Sequence, residues 1–154
     1  MSSLRLKARL PSARVEVTAT LHGHALRFHK AGSDGSAKCD AFQTDHEADS
    51  LMGVVFSIDT AEKPTLDEIE GVGHGYEEKT VQVVTASAQV IEAFTYYATN
   101  IDRSLKPFHW YRHHVLTGAS EHNLPQPYLA QISAIESVAD PVPARHQREM
   151  EIYP

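Results

Sequence analysis

An α+β domain is what this sequence predicts, on three observations. Strand-like alternation and strong β formers fill the first two thirds of the chain, with one short helical segment inserted among them. Helix-period stripes come only near the end, so helices are inserted and appended to strands, not alternated with them. A chain of 154 residues that is 42% hydrophobic has the size and the apolar content for one domain around a single core.

In chain order, residues 2–9 form a short helix stopped by Pro11, with Arg5, Lys7 and Arg9 on its solvated side. Val15, Val17, Ala19 and Leu21 alternate with polar residues and predict a half-buried strand. Gly23 separates it from a second strand through Leu26 and Phe28. Residues 31–40 are rich in Gly, Ser and Asp and read as a loop. Residues 51–58 are an apolar run short enough for a buried central strand, and residues 65–70 form a short acidic helix. Residues 76–85 and 90–98 carry β formers on either side of Ala86-Ser87-Ala88 and predict a hairpin. Pro107 suits the first turn of a helix with a Tyr111, Val115, Ala119 stripe. Tyr128, Ile132 and Ile135 mark one more helix. The expected organisation is a single domain over residues 1–138 and an irregular tail over 139–154.

Composition narrows the partners. A net charge of −6 argues against non-specific binding to nucleic acid. Cys39 is the only cysteine, which forbids an intrachain disulfide and fits a reducing cytoplasm. No apolar run approaches the roughly 20 residues of a membrane span, the first residues lack a hydrophobic signal region, and no internal repeat is visible.

Chemistry concentrates in Leu66-Asp67-Glu68-Ile69-Glu70-Gly71-Val72-Gly73-His74-Gly75-Tyr76. Thr65 and Glu68 have the spacing of a capping box, and Leu66 and Ile69 share one face. Glu70 is the last residue before Gly71, where the helix must stop. A carboxylate there sits at the negative end of the helix dipole, which disfavours its ionised form, and partial burial acts the same way. Such an acid suits a general base working near neutral pH; the plain alternative is an exposed side chain at a helix end. Glu68 is expected as a cap and Asp67 in solvent, while Gly71, Gly73 and Gly75 permit positive φ or a turn that lets substrate approach.

Other candidate sites are weaker. His22 and His24 would share one face of a strand, and His109, His113 and His114 cluster on one helix. Trp110 follows His109, so there is no His-Glu-x-x-His motif, and Cys39 stands alone; no metal site is expected. Ser36 lies in Gly35-Ser36-Ala37, which is not a nucleophile elbow. The loop from Asp34 to Lys38 offers amides to an anion, with a solvated turn as the simpler account.

Around Glu70 the chain resembles the γ-glutamylcyclotransferase family. Leu66-Asp67-Glu68-Ile69-Glu70-Gly71-Val72 is similar to the family's catalytic segment, and Glu70 falls on its catalytic glutamate. Arg9-Leu10-Pro11-Ser12-Ala13, residues 21–28, Asp34-Gly35-Ser36-Ala37-Lys38, Gly53-Val54-Val55-Phe56, residues 107–119 and His122-Asn123-Leu124-Pro125 resemble further family segments in the family's order. The resemblance implies a small, mostly antiparallel β-barrel or strongly bent sheet with short flanking helices. It implies conversion of a γ-glutamyl amino acid or γ-glutamyl amine to 5-oxoproline and a free amine by intramolecular cyclisation. Glu70 would be the general acid/base; Tyr76, Tyr111, Gly71 and the more remote Tyr96 would contact substrate, although tyrosines at such spacings also serve as core residues. No cofactor and no metal is implied. The partner is a small γ-glutamyl molecule, without nucleic acid or membrane; the setting is cytoplasmic and a homodimer is possible.

One departure stands out. The family's first strand ends in Tyr-Gly-Ser-Asn, and that glycine loop is absent; Met1-Ser2-Ser3-Leu4-Arg5-Leu6 resembles the family segment that comes directly after the loop. Met1 then corresponds to an internal methionine, the chain to an N-terminally shortened version of a longer product, and a neighbouring strand to one with an open edge. Activity is then expected strictly of that longer product. The alternative is a family member that has lost the loop and serves as a non-catalytic module binding a small metabolite or a protein.

Overall fold

The computed structural model describes residues 2–153, so Met1 and the expectation attached to it lie outside the described residues. Helix α1 (Ser3–Lys7) is capped by Ser2, whose side chain accepts from the Arg5 N–H. Strands β1 (Arg14–His22) and β2 (His24–Ala31) come next, separated by Gly23 at φ +67°. His22 and His24 therefore belong to different strands and not to one shared face. β3 spans Ala37–Gln43, β4 Ser50–Ser57, α2 Lys63–Glu70, β5 Tyr76–Thr85 and β6 Val90–Ala98. Helices α3 (His109–Glu121), α4 (Gln126–Ala134) and α5 (Pro143–Met150) complete the chain.

The architecture is α+β with antiparallel strand pairing, and no closed barrel forms among the described residues. One sheet has the order β4-β1-β5-β6 and the other consists of β2 and β3. The two meet where the Asp40 carboxylate of β3 accepts from the Ala98 N–H of β6 at 2.8 Å and the Ala31 N–H donates to the Asn100 carbonyl at 2.9 Å.

Four local expectations need correction. The Gly/Ser segment is shorter than it looks: Gly32 to Ser36 makes the turn, and β3 starts at Ala37, paired with β2 from Ala31↔Ala37 to His24↔Gln43. β4 is not central; it pairs with β1 alone among the described residues, and its apolar run serves two faces. Helix α2 begins before Thr65, because Asp59 caps a 3-10 turn at Thr60–Glu62 and Pro64 occupies the first helical turn. The Thr65–Glu68 capping box is therefore not formed. Pro107 precedes α3 and lies outside it.

The tail is the fifth correction. Residues 143–150 form α5, which docks on α3 through polar groups: Asp140 accepts two hydrogen bonds from Arg145 at 2.6 Å and one from the Trp110 indole at 2.7 Å. His114 of α3, 3% exposed, bonds the Glu149 carboxylate and the Tyr153 hydroxyl, each at 2.8 Å.

Three apolar clusters hold the layers. Val115, Ala119, Leu124, Tyr128 and Ile132 pack helices α3 and α4 on Leu26, Phe28, Cys39 and Met52 of the strands. Leu10, Ala13 and Leu66 join the segment after α1 to α2. Ala19, Leu21 and Val83 pack with Leu51 and Val55 on one face of the larger sheet. Each fully buried aliphatic side chain contributes about 1.5–3 kcal/mol.

Burial, then the Arg5 charge, pushes the His114 imidazole down to about 4, against the opposing hydrogen bond from Glu149. The folded value lies below the ordinary 6.5, so the unfolded chain takes up this proton first. Stability from the His114–Glu149–Tyr153 contact is fully present above pH 6.5 and drains as pH falls toward about 4. Denaturant titrations across that interval should show the wild type losing more stability than His114→Gln; parallel losses would contradict the assignment.

Candidate active site

Why Glu70 sits where it does is explained by the helix end. Leu66 is buried against Leu10 and Ala13, which fixes the face of α2. Gly71, at φ +79°, terminates the helix in the left-handed conformation, and the N–H groups of Gly71 and Val72 both donate to the Asp67 carbonyl at 2.9 Å. The turn then closes on itself: the Gly73 N–H donates to the Tyr76 carbonyl and the His74 N–H to the Gly71 carbonyl, each at 2.9 Å. Glu70 is left half-buried on the wall of a cavity of about 890 Å³, also bordering a second of about 480 Å³. Its carboxylate accepts no hydrogen bond among the described residues. A volume of this size suits a small molecule.

The structure brings all five expected residues to that cavity: Glu70, Gly71, Tyr76, Tyr96 and Tyr111 line it. The three phenols are already engaged, however. The Tyr76 O–H donates to the Cys39 carbonyl, and the Tyr111 hydroxyl accepts from the Cys39 N–H at 3.0 Å. The N–H and C=O of one strand residue point to the same side, so these two side chains together satisfy an edge of β3 that no strand covers among the described residues. The Tyr96 O–H donates to Asp67 at 2.7 Å, and Lys63 binds Asp67 and Glu78. Asp67 is thus a brace between α2 and β6 and not the solvated side chain expected; its carboxyl is held below the usual range by Lys63 and Tyr96.

Burial sets the proton affinities. It raises the phenols of Tyr76 and Tyr111 well above their ordinary value, with Cys39 and, for Tyr76, Glu70 adding charge in the same direction. Tyr96 is raised by burial and then by Asp67. The Cys39 thiol is pushed up to about 12 by burial, against a hydrogen bond from Tyr111. All four groups are neutral near pH 7, so none is a thiolate nucleophile or a phenolate base there.

Other residues reach the cavity without having been singled out for it. Arg5, Arg9, Lys30 and Lys38 supply cations, and Glu68, Asp40 and His114 also line it. Lys38 is bound by Asp34 and Ser36 at 2.7 Å and lies 4.7 Å from the ring centres of both Trp110 and Tyr111. The Asp34 to Lys38 segment is therefore an internally bonded turn under an aromatic roof, with Ser36 fully buried, and not a solvated one. Asp40 is paired with buried His29 at 2.7 Å. Arg5 approaches Glu149 at 3.7 Å while its Nε is buried without a partner among the described residues. The alternation Leu26, Phe28, Lys30 places a cation in phase with apolar residues, a signal that could have flagged Lys30 in the sequence. Among the described residues no cluster of three His, Cys, Asp or Glu side chains is arranged to hold a metal ion, and no helix is long and apolar enough to cross a membrane.

An antiparallel α+β scaffold that presents an unpartnered carboxylate from a helix end to a molecule-sized cavity defines a class with which known proteins can be compared. The model of the AIG2-like family matches residues 50–132. The gamma-glutamylcyclotransferase of Homo sapiens is 31% identical over 142 residues, spanning 86% of this chain and 72% of that protein. A solved gamma-glutamyl cyclotransferase superposes with a TM-score of 0.79 at 26% identity, covering 94% of this chain and 90% of that one. A human protein whose crystal structure was described as that of an uncharacterized protein gives 0.84 at 26% identity, covering 97% and 91%. The chain belongs to the AIG2-like, γ-glutamylcyclotransferase-like family.

The two phenols on Cys39 have a measurable weight. Tyr111→Phe leaves the Cys39 N–H unpaired and Tyr76→Phe leaves its carbonyl unpaired, so each should cost about 1–3 kcal/mol in chemical denaturation. A change below about 0.5 kcal/mol for both would show that the edge of β3 is satisfied in another way.

Proposed function

We propose that the chain converts a γ-glutamyl amide to 5-oxoproline and a free amine, with Glu70 as the general acid/base. The observation that carries this is the half-buried carboxylate at the end of α2, lining the cavity without a partner among the described residues. In this reaction the substrate's α-nitrogen attacks its own γ-carbonyl carbon; the new C–N bond closes the five-membered ring, and the bond to the leaving nitrogen breaks. The attacking group is tethered, so a pocket that folds the substrate supplies much of the rate. Two protons leave the α-ammonium and both end on the released amine. Glu70 moves them one at a time, first as base and then as acid.

The surroundings support that division of labour. Tyr76, Tyr96 and Tyr111 form walls whose hydroxyls are tied to Cys39 and Asp67, so they offer ring faces and a rigid shape to the substrate. Gly71 leaves the approach beside Glu70 free of a side chain. Burial keeps His114 and the phenols neutral at pH 7, which leaves the carboxylate as the group suited to carry the proton.

Replacing Glu70 by Gln keeps size and polarity and removes the basic oxygen. Release of 5-oxoproline from a panel of γ-glutamyl amino acids and γ-glutamyl amines should fall roughly 10²–10⁴-fold, with the melting temperature unchanged. Turnover retained by Glu70→Gln would refute the role of Glu70. A wild type that binds these compounds and releases no 5-oxoproline would leave a binding module of the same fold.

A further inference from the structure

Among the cavity cations Lys30 differs in kind. It is 9% exposed, yet it forms no ion pair within 4.0 Å and no hydrogen bond through its ammonium among the described residues. Lys38 has Asp34 and Ser36, and Arg5 faces Glu149; Arg9 also reaches the cavity, where it feels the Glu70 charge, but the residue as a whole is exposed. Lys30 has only the face of Tyr76, 4.8 Å from its Nζ to the ring centre. A quadrupole is a poor substitute for a counter-charge, so a lysine whose stem is buried presents its ammonium to the cavity with no anion among the described residues.

The backbone is shaped around this side chain. The β2–β3 register shifts between Phe28 and Lys30, an irregularity of the kind that re-aims side chains next to sites. A Cβ at Gly75 would fall 3.0 Å from the Lys30 Cε and 3.2 Å from its Nζ, so the glycine at φ +113° keeps open the slot through which the lysine reaches the cavity. Lys30, over the Tyr76 ring, and Glu70 both line the same cavity.

We propose that Lys30 binds the α-carboxylate of the ligand, leaving the neighbouring α-nitrogen on the side of Glu70. This rests on the cyclotransferase reading for the identity of the substrate, and it specifies the class: compounds with a free α-carboxylate enter, and their α-amide or decarboxylated counterparts are rejected. The anion completes the charge balance that the protein alone leaves open. Lys30 is a recognition residue; it takes no part in proton transfer.

The test is a pair of ligands against a pair of proteins. 5-Oxoproline carries the α-carboxylate as its only anionic group, and 2-pyrrolidinone is the same ring without it. The wild type should bind 5-oxoproline roughly 10- to 100-fold more tightly than 2-pyrrolidinone in calorimetric or NMR titrations. Lys30→Met retains the apolar stem and should bring that ratio close to one. Its melting temperature should be unchanged or raised, where a structural lysine would leave the protein less stable. With γ-glutamyl-alanine as substrate, the KM of Lys30→Met should rise by a similar factor while kcat moves less. A ratio that persists in Lys30→Met, or in Lys30→Gln should the first variant not fold, overturns the proposal, as does a wild type without preference. The titrations need no turnover, so the two ideas separate. A wild type that discriminates through Lys30 but forms no 5-oxoproline contradicts the reaction and leaves the anion site standing. A turning-over enzyme whose Lys30→Met variant keeps its KM contradicts the site alone.

Discussion

Three parts of the fold are pinned to one another at the backbone of Cys39. β3 pairs with β2 on one side, and on its other side the Cys39 N–H and C=O are taken by two phenols from distant elements, Tyr111 on α3 and Tyr76 at the start of β5. Unpaired buried backbone groups are expensive, so these contacts are obligations of the fold and not decoration. Their consequence reaches the chemistry. Tyr76 is separated from Glu70 only by the hydrogen-bonded turn that begins at Gly71, so fixing Tyr76 on β3 also fixes the carboxylate at the mouth of that turn. Tyr96 on Asp67 braces the preceding turn of α2 in the same way. The carboxylate is held on a rigid support while remaining without a partner among the described residues, which is the condition under which a positioned group works best.

Electrostatics sort the remaining groups. Burial keeps Cys39 as a thiol and the three phenols protonated, and it keeps His114 as a neutral imidazole at physiological pH. Asp34 and Asp140 are each tied to a cation, Lys38 and Arg145 respectively, and Asp40 is bound by the imidazole of His29. The Glu70 carboxylate and the Lys30 ammonium over the Tyr76 ring line the cavity without an ion pair among the described residues. The proposed substrate carries the complementary pair in its zwitterionic amino-acid head group.

Much of the fold is legible in the sequence, and the exceptions share a cause. Val17, Ala19 and Leu21 of β1, the hairpin of β5 and β6, and the Val115 and Ala119 stripe turn apolar side chains inward with a regular period, so pattern finds them, although Val15 at the start of β1 is exposed. The stop at Gly71 is legible because glycine suits the left-handed conformation a helix C-terminus adopts there. β3 and α5 are invisible to the same logic. β3 turns Asp40 toward His29 and Ala98 and stacks Lys38 on Trp110, and α5 docks through Glu149 on His114 and Arg145 on Asp140; these elements are held by specific polar contacts and not by an apolar period. The capping box fails for a local reason, since Asp59 and Pro64 start the helix earlier than Thr65. The tyrosines are legible as cavity residues, but their bonds to Cys39 and Asp67 depend on tertiary contacts that spacing does not encode.

The central claim is geometric: the carboxylate at position 70 must lie against the nitrogen that closes the ring. A crystal structure of the wild-type protein soaked with 5-oxoproline tests it without relying on turnover. The account predicts the lactam ring in the larger cavity, with its N–H within about 2.6–3.2 Å of a Glu70 oxygen. A ring seated elsewhere, or one bound in that cavity with Glu70 turned away into solvent, would contradict it.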